Sequence, residues 1–212
     1  MCSLFRAGQK IVILDTSDSF TREAILQNLS AGGDDHAKAL ADQFITENVT
    51  FHKVEELGVP VDLLNLQYPS VPETKRKIID AIVSAHIQNM GKVQKAALRT
   101  GISDLMENQS INMIDLYERL TDSSMSDSLV MQFEDMLSCF LEYDSSDRSW
   151  DEFFDDSKGI IVISTDAVSC SSGSALVDML LMSLFYAQRN NPTQHIAVFI
   201  DEIQNQNFSP NG

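Results

Sequence analysis

Near the end of this 212-residue chain, two adjacent carboxylates and an amide follow directly on an apolar run: Ile196-Ala197-Val198-Phe199-Ile200-Asp201-Glu202-Ile203-Gln204. A run of this kind, preceded by Pro192 and followed by polar residues, predicts a strand buried on both faces. Open α/β sheets bind their ligands at the carboxyl ends of such strands. Side chains alternate along a strand, so Asp201 and Glu202 leave it in different directions. One can face a hydrated Mg²⁺ while the other polarises an attacking water, which is the chemistry of nucleotide hydrolysis. The bland alternative is that an acidic pair ends a strand because solvent begins there.

The elements that would position this pair are legible along the chain. Lys10 to Asp15 reads as a second buried strand ending in a carboxylate. Thr16-Ser17-Asp18-Ser19 then turns, and Thr21 caps a short helix through Leu29. Asp15 and Asp18 are candidate residues at the edge of the site, since they also follow a strand's carboxyl end. They would equally serve to shape the turn and cap the helix. Gly159 to Thr165 is the third strand. Ser169 to Ser174 reads as a Ser/Gly loop before an almost wholly apolar helix over 174–189, and Asn190-Asn191-Pro192 stops that helix ahead of the acid-tipped strand. Strand, helix and strand of these lengths form a βαβ unit, so this part of the sheet should be parallel. A helix apolar nearly all round calls for burial against a sheet or a neighbouring subunit.

The middle of the chain is helical in pattern. Residues 30–35 are a polar loop, and a helix over about 36–47 carries Ala39, Leu40 and Phe44 along one side. Of two short apolar stretches, Val49 to Val54 and Val61 to Leu66, the second more resembles a strand. Ser70-Val71-Pro72-Glu73 is a capping box. The helix it opens carries Ile78, Ile79, Ile82, Val83, His86, Ile87 and Met90 as one apolar stripe until Gly91. His86 on that stripe reads as a hydrogen-bonded core histidine. Further helices are expected at about 93–107, 111–120 and 126–142, with Trp150, Phe153 and Phe154 clamping this subdomain back onto the sheet.

Composition narrows the function. Hydrophobic residues make up 43% of the chain, enough for a globular core. A net charge of −16, from 15 basic and 31 acidic residues, argues against a wide phosphate-binding surface. Cys2, Cys139 and Cys170 lie far apart, as free thiols in a reducing compartment do. His36, His52, His86 and His195 never fall at zinc-ligand spacing. No apolar run approaches a membrane span and the N-terminus shows no export signal, so a cytoplasmic protein is expected.

Several motifs are missing. No G-x-x-x-x-G-K-[ST] loop occurs. Cys170-Ser171-Ser172-Gly173-Ser174 lacks its lysine and glycine spacing, and reads as a capped helix start. No G-x-S-x-G elbow is present. A dinucleotide-binding oxidoreductase needs G-x-G-x-x-G after the first strand, where Asp15-Thr16-Ser17-Asp18-Ser19 has no glycine.

Ile11-Val12-Ile13-Leu14-Asp15 with Thr16-Ser17-Asp18-Ser19-Phe20, a helical insertion, the strand at 159–165, the apolar helix and Ala197-Val198-Phe199-Ile200-Asp201-Glu202-Ile203-Gln204 together resemble the HerA/FtsK class of P-loop motor ATPases. That class includes ATPases of conjugative secretion and of some phage-defence systems. The resemblance covers nearly the whole chain in order of elements, with the Walker B segment its most specific part. It implies that Asp201 helps hold Mg²⁺ through water, that Glu202 is the catalytic base and that Gln204 senses the γ-phosphate of ATP. It also implies a homo-oligomeric ring, with DNA in a central pore. The family's phosphate loop would lie before Met1, with its helix ending in residues 1–8, so the chain reads as the Walker B half of the site and as inactive by itself.

The expected fold is therefore α/β, a three-layer RecA-like P-loop core with a mainly parallel sheet. Residues 1–69 and 151–212 form the core, and 70–150 form a helical insertion. A non-catalytic P-loop-like domain that assembles a larger complex is the second reading.

Overall fold

The computed structural model describes residues 5, 8–63, 76–77, 87, 91–94, 96, 100, 115, 118, 127–144, 146–166, 168, 170–190 and 195–201. Within them, strand β1 (Lys10–Asp15) leads to helices α1 (Arg22–Leu29) and α2 (Asp35–Asn48), strand β2 (Val49–Lys53) and the short helix α3 (Val54–Leu57). Helices α4 (Asp127–Glu142) and α5 (Trp150–Asp155), strand β3 (Ile160–Ser164), helix α6 (Cys170–Asn190) and strand β4 (Ile196–Ile200) follow.

The four strands form one sheet in the order β2-β3-β1-β4, and every pairing is parallel. Ile13 stands opposite Val162 on one side and Phe199 on the other, and Asp15 stands opposite Ser164. The path from β1 to β2 runs one way along the sheet, and the path from β3 to β4 runs the other way. Right-handed crossovers in opposite directions must lie on opposite faces. Accordingly Ile25, Leu26, Phe44 and Ile45 of α1 and α2 pack on one face, against Ile11, Ile13, Ile160, Val162, Ala197 and Phe199. The residues alternating with these, Val12, Leu14, Ile161, Ile163 and Val198, meet α6 and α5 on the other face, together with Ile87 and Phe133. Each fully buried Ile or Leu side chain there contributes roughly 1.5–3 kcal/mol.

Caps behave as their sequences predict. The Thr21 side chain accepts from Ala24 N and starts α1. Ser149 and Glu152 form a full capping box on α5. The backbone and hydroxyl hydrogen bonds from Ser149 hold the Glu152 carboxyl below the usual carboxylate range. At the amino end of the sheet, the Lys10 ammonium donates to the carbonyls of Phe154 and Ser157 and lies 5.6 Å from the centre of the Phe154 ring. Burial pushes the Lys10 pKa down.

Three expectations are corrected. A strand lies at Val49–Lys53, and of the stretch 61–66 the described part, 61–63, is not in a strand. Among the described residues β2 sits at the sheet edge, where a polar His52 and Lys53 are tolerated because only one side needs a partner. Val59, Val61 and Leu63 are buried, and their segment bonds to residues 144–148: Val59 N donates to Asp144 O at 2.8 Å and Asp62 N to Arg148 O at 2.9 Å. In α2 the buried side is Ala41 and Ile45, while Leu40 is 54% exposed. The apolar helix begins at Cys170, so Cys170 to Ser174 are its first turn and not a loop. Ala175, Leu176, Val177, Met179, Leu180 and Leu184 of that helix are buried, whereas Phe185 is 57% exposed.

The capping box at 70–73, His86 and most of the helices expected before residue 121 lie outside the described residues. Among the described residues, no helix is long and apolar enough to cross a membrane.

Candidate functional site

Paths leaving β1 and β3 depart to opposite faces, which opens a crevice outside their carboxyl ends, where open α/β sheets take their ligands. Two features meet there.

The first is the turn after β1. Asp15 is 1% exposed, and its carboxylate accepts from three backbone N–H groups: Ser17 N at 3.3 Å, Ser19 N at 3.1 Å and Phe20 N at 2.9 Å. A carboxylate that collects the N–H groups of the residues after it folds them into a compact turn. Asp18 at the tip has φ 55°, a left-handed conformation that Asp tolerates better than most residues.

The turn reaches across to β4. Asp201 N donates to Leu14 O at 3.0 Å, extending the β1–β4 ladder by one rung. Thr16 Oγ1 donates to Asp201 O at 3.3 Å, and the Ser17 hydroxyl donates to the Asp201 carboxylate through Oδ2. The Asp201 backbone and side chain are thus both held by β1 and its turn.

The second feature is a groove of about 320 Å³ over β3, on the α1 face of the sheet. Asp15, Asp18, Thr21, Arg22, Glu23, His52, Lys53 and Ser164 line it, with Phe20, Phe51 and Val162 as its apolar part. Arg22 is engaged in a pair with Asp42 at 2.8 Å and a bond to Thr46 Oγ1 at 2.7 Å. His52 is buried and bonds through Nε2 to Gly58 O at 2.8 Å. Burial lowers the His52 pKa; the Gly58 bond opposes this and the Arg148 charge adds to it.

Of the residues expected from sequence, Asp15, Asp18 and Asp201 are therefore at one end of the sheet, with distinct surroundings. Asp15 is enclosed in its turn, Asp18 is exposed on the groove and Asp201 is half-buried at the tip of β4. Glu202 and Gln204 lie outside the described residues. Sequence reasoning passed over Ser17, Thr16 and Lys53. Only the adjacency of β1 and β4 reveals the first two, because the bonded residues are 184 and 185 positions apart.

Among the described residues, no group of three or more His, Cys, Asp or Glu is arranged to hold a metal. Mg²⁺ asks for less: it keeps several waters and binds through one or two carboxylates plus substrate phosphates. The Asp201 carboxylate beside a hydroxyl is a hard-oxygen set of this sort, and it fits such an ion.

No family model matches the chain, and no curated protein matches it. Among solved structures, the chain is similar to VirB4 of Thermoanaerobacter pseudethanolicus, with a TM-score of 0.59 and 11% identity over 96% of this chain and 79% of that one. An all-parallel sheet covered by helices, together with this likeness, gives the chain an α/β architecture consistent with a RecA-like P-loop fold.

Proposed function

We propose that this α/β unit is the Walker B half of the nucleotide site of a DNA-translocating or DNA-processing motor ATPase. The observation that carries the reading is the placement of Asp201. It ends a strand at the carboxyl edge of an all-parallel sheet, and the turn of the neighbouring strand fixes its carboxylate. The fold likeness to VirB4 agrees in architecture with the HerA/FtsK-type resemblance of the sequence.

In this reading Asp201 holds Mg²⁺ through water, Glu202 takes the proton of the attacking water and Gln204 contacts the γ-phosphate of ATP. The ion, when bound, would neutralise charge on the phosphates. Asp15 organises the turn that steadies Asp201, and Asp18 stands at the edge of the site. The homo-oligomeric ring and the DNA in its pore enter through the family resemblance; the net charge of −16 gives them no support.

The test is Glu202→Gln in the natural full-length protein. Removing a general base should lower ATP turnover by about 10²-fold or more while nucleotide affinity stays within about twofold. Unchanged turnover would remove Glu202 as the base, and the absence of any turnover in the unsubstituted protein would leave the domain as an assembly module.

A further inference from the structure

We infer that Ser17 is a positioning residue for Asp201, set in place by the turn that Asp15 organises. The inference rests on the reading of Asp201 as a carboxylate that holds a hydrated divalent cation.

The direction of the hydrogen bonds follows from counting protons. A carboxylate only accepts, so the proton between Ser17 Oγ and Asp201 Oδ2 belongs to Ser17. A hydroxyl has one proton, so in the 2.6 Å contact between Ser17 Oγ and Ser19 Oγ the donor must be Ser19. The two serines therefore form a chain, Ser19 to Ser17 to Asp201, in which each bond polarises the next. Asp15 accepts from Ser17 N and Ser19 N, and so fixes the backbone that presents both hydroxyls.

This arrangement divides the two oxygens of Asp201. Oδ2 accepts the Ser17 hydrogen bond, and the bonds at Asp201 N and O hold the backbone that carries the carboxylate. Among the described residues Oδ1 accepts no hydrogen bond and remains for a water of the cation, which suits the one-oxygen contact of Mg²⁺ better than the bidentate grip of Ca²⁺. Hydrogen-bond partners of a ligating group orient it, and their loss typically weakens metal binding at least tenfold.

The experiment is a titration of the 212-residue chain, ¹³C-labelled at its carboxyl groups, with Mn²⁺ alone. Paramagnetic broadening of the Asp201 carboxyl signal is read. In the unsubstituted chain Asp201 should broaden at lower Mn²⁺ than exposed acids such as Glu55 and Glu56. Ser17→Ala should raise the Mn²⁺ needed about tenfold, and Ser17→Thr, which keeps the hydroxyl, should restore it. Ser19→Ala should shift the midpoint in the same direction by less, and it decides the matter should Ser17→Ala not fold. A selective Asp201 signal that neither alanine variant moves, or that Ser17→Thr fails to restore, overturns the positioning role and leaves the nucleotide-site reading intact. An Asp201 signal no more sensitive than those of the exposed acids overturns both.

Discussion

Trp150 and Ser183 are joined inside the protein: the indole Nε1–H donates to Ser183 Oγ at 2.8 Å, and both residues are buried. Trp150 also stacks on Phe154 of its own helix, with ring centres 5.4 Å apart, so its apolar face is packed within α5 while its polar edge ties α5 to α6. Ser183→Ala leaves a buried N–H without its acceptor. The expected cost is about 1–3 kcal/mol, read as a lower urea midpoint with an unchanged slope.

Gly58 ends α3 with φ 78° and ψ −174°, a region essentially restricted to glycine. A Cβ there would stand 2.1 Å from Asp144 O, which is backbone and cannot step aside cheaply. Gly58→Ala should cost about 2 kcal/mol or more, seen as a fall in melting temperature. The segments on either side, 54–63 and 144–148, should show the largest rise in hydrogen exchange.

His52 couples folding to pH. Its buried ring donates from Nε2 to Gly58 O at 2.8 Å, since a carbonyl only accepts. Burial holds its folded-state pKa below the ordinary histidine value of 6.5. Below about pH 6.5 the unfolded chain binds a proton that the folded chain takes up less readily. Its contribution is complete above that pH and is lost as pH falls toward the folded-state value. His52→Gln should flatten the slope of stability against pH just below 6.5, measured by denaturant titrations at a series of pH values.

Asp15→Asn tests the turn after β1. Ser17 N and Ser19 N bond to one carboxylate oxygen and Phe20 N to the other; the amide keeps a single acceptor oxygen, so it cannot serve both sets at once. The expected cost is about 1–3 kcal/mol. Exchange of those amides should speed up before that of the β1 core amides of Val12 and Ile13.

Much of the sheet was legible because its strands are runs of β-branched residues: Ile11-Val12-Ile13, Ile160-Ile161-Val162-Ile163 and the apolar part of β4. Strand β2 was not, since His52 and Lys53 at a sheet edge dilute the pattern that burial on both sides would have imposed. The first turn of α6 was misread for a different reason. Ser171-Ser172-Gly173-Ser174 carries the composition of a loop, and the apolar turns that follow carry the helix through it. Asp15 and Asp201 could be singled out as strand-end acids from the sequence alone. That Asp15 would be enclosed and Asp201 held could not, because the difference lies in which strand ends are neighbours. The groove's lysine was hidden for the same reason: Lys53 comes beside Ser164 only through the β2–β3 register.

Strand β4 pairs with β1 and, among the described residues, with nothing on its other side, and all five of its residues are half-buried. The rung that bears the candidate chemistry is thus fastened along a single margin. Strands so placed exchange amide protons sooner than those enclosed in the ladder, so Val198 and Ile200 should lose protection ahead of Ile13 and Val162. Order at Asp201 is in this sense conditional. Anything that added a backbone ladder along that margin would stiffen the carboxylate without touching it, and could raise cation affinity at a distance from the ion.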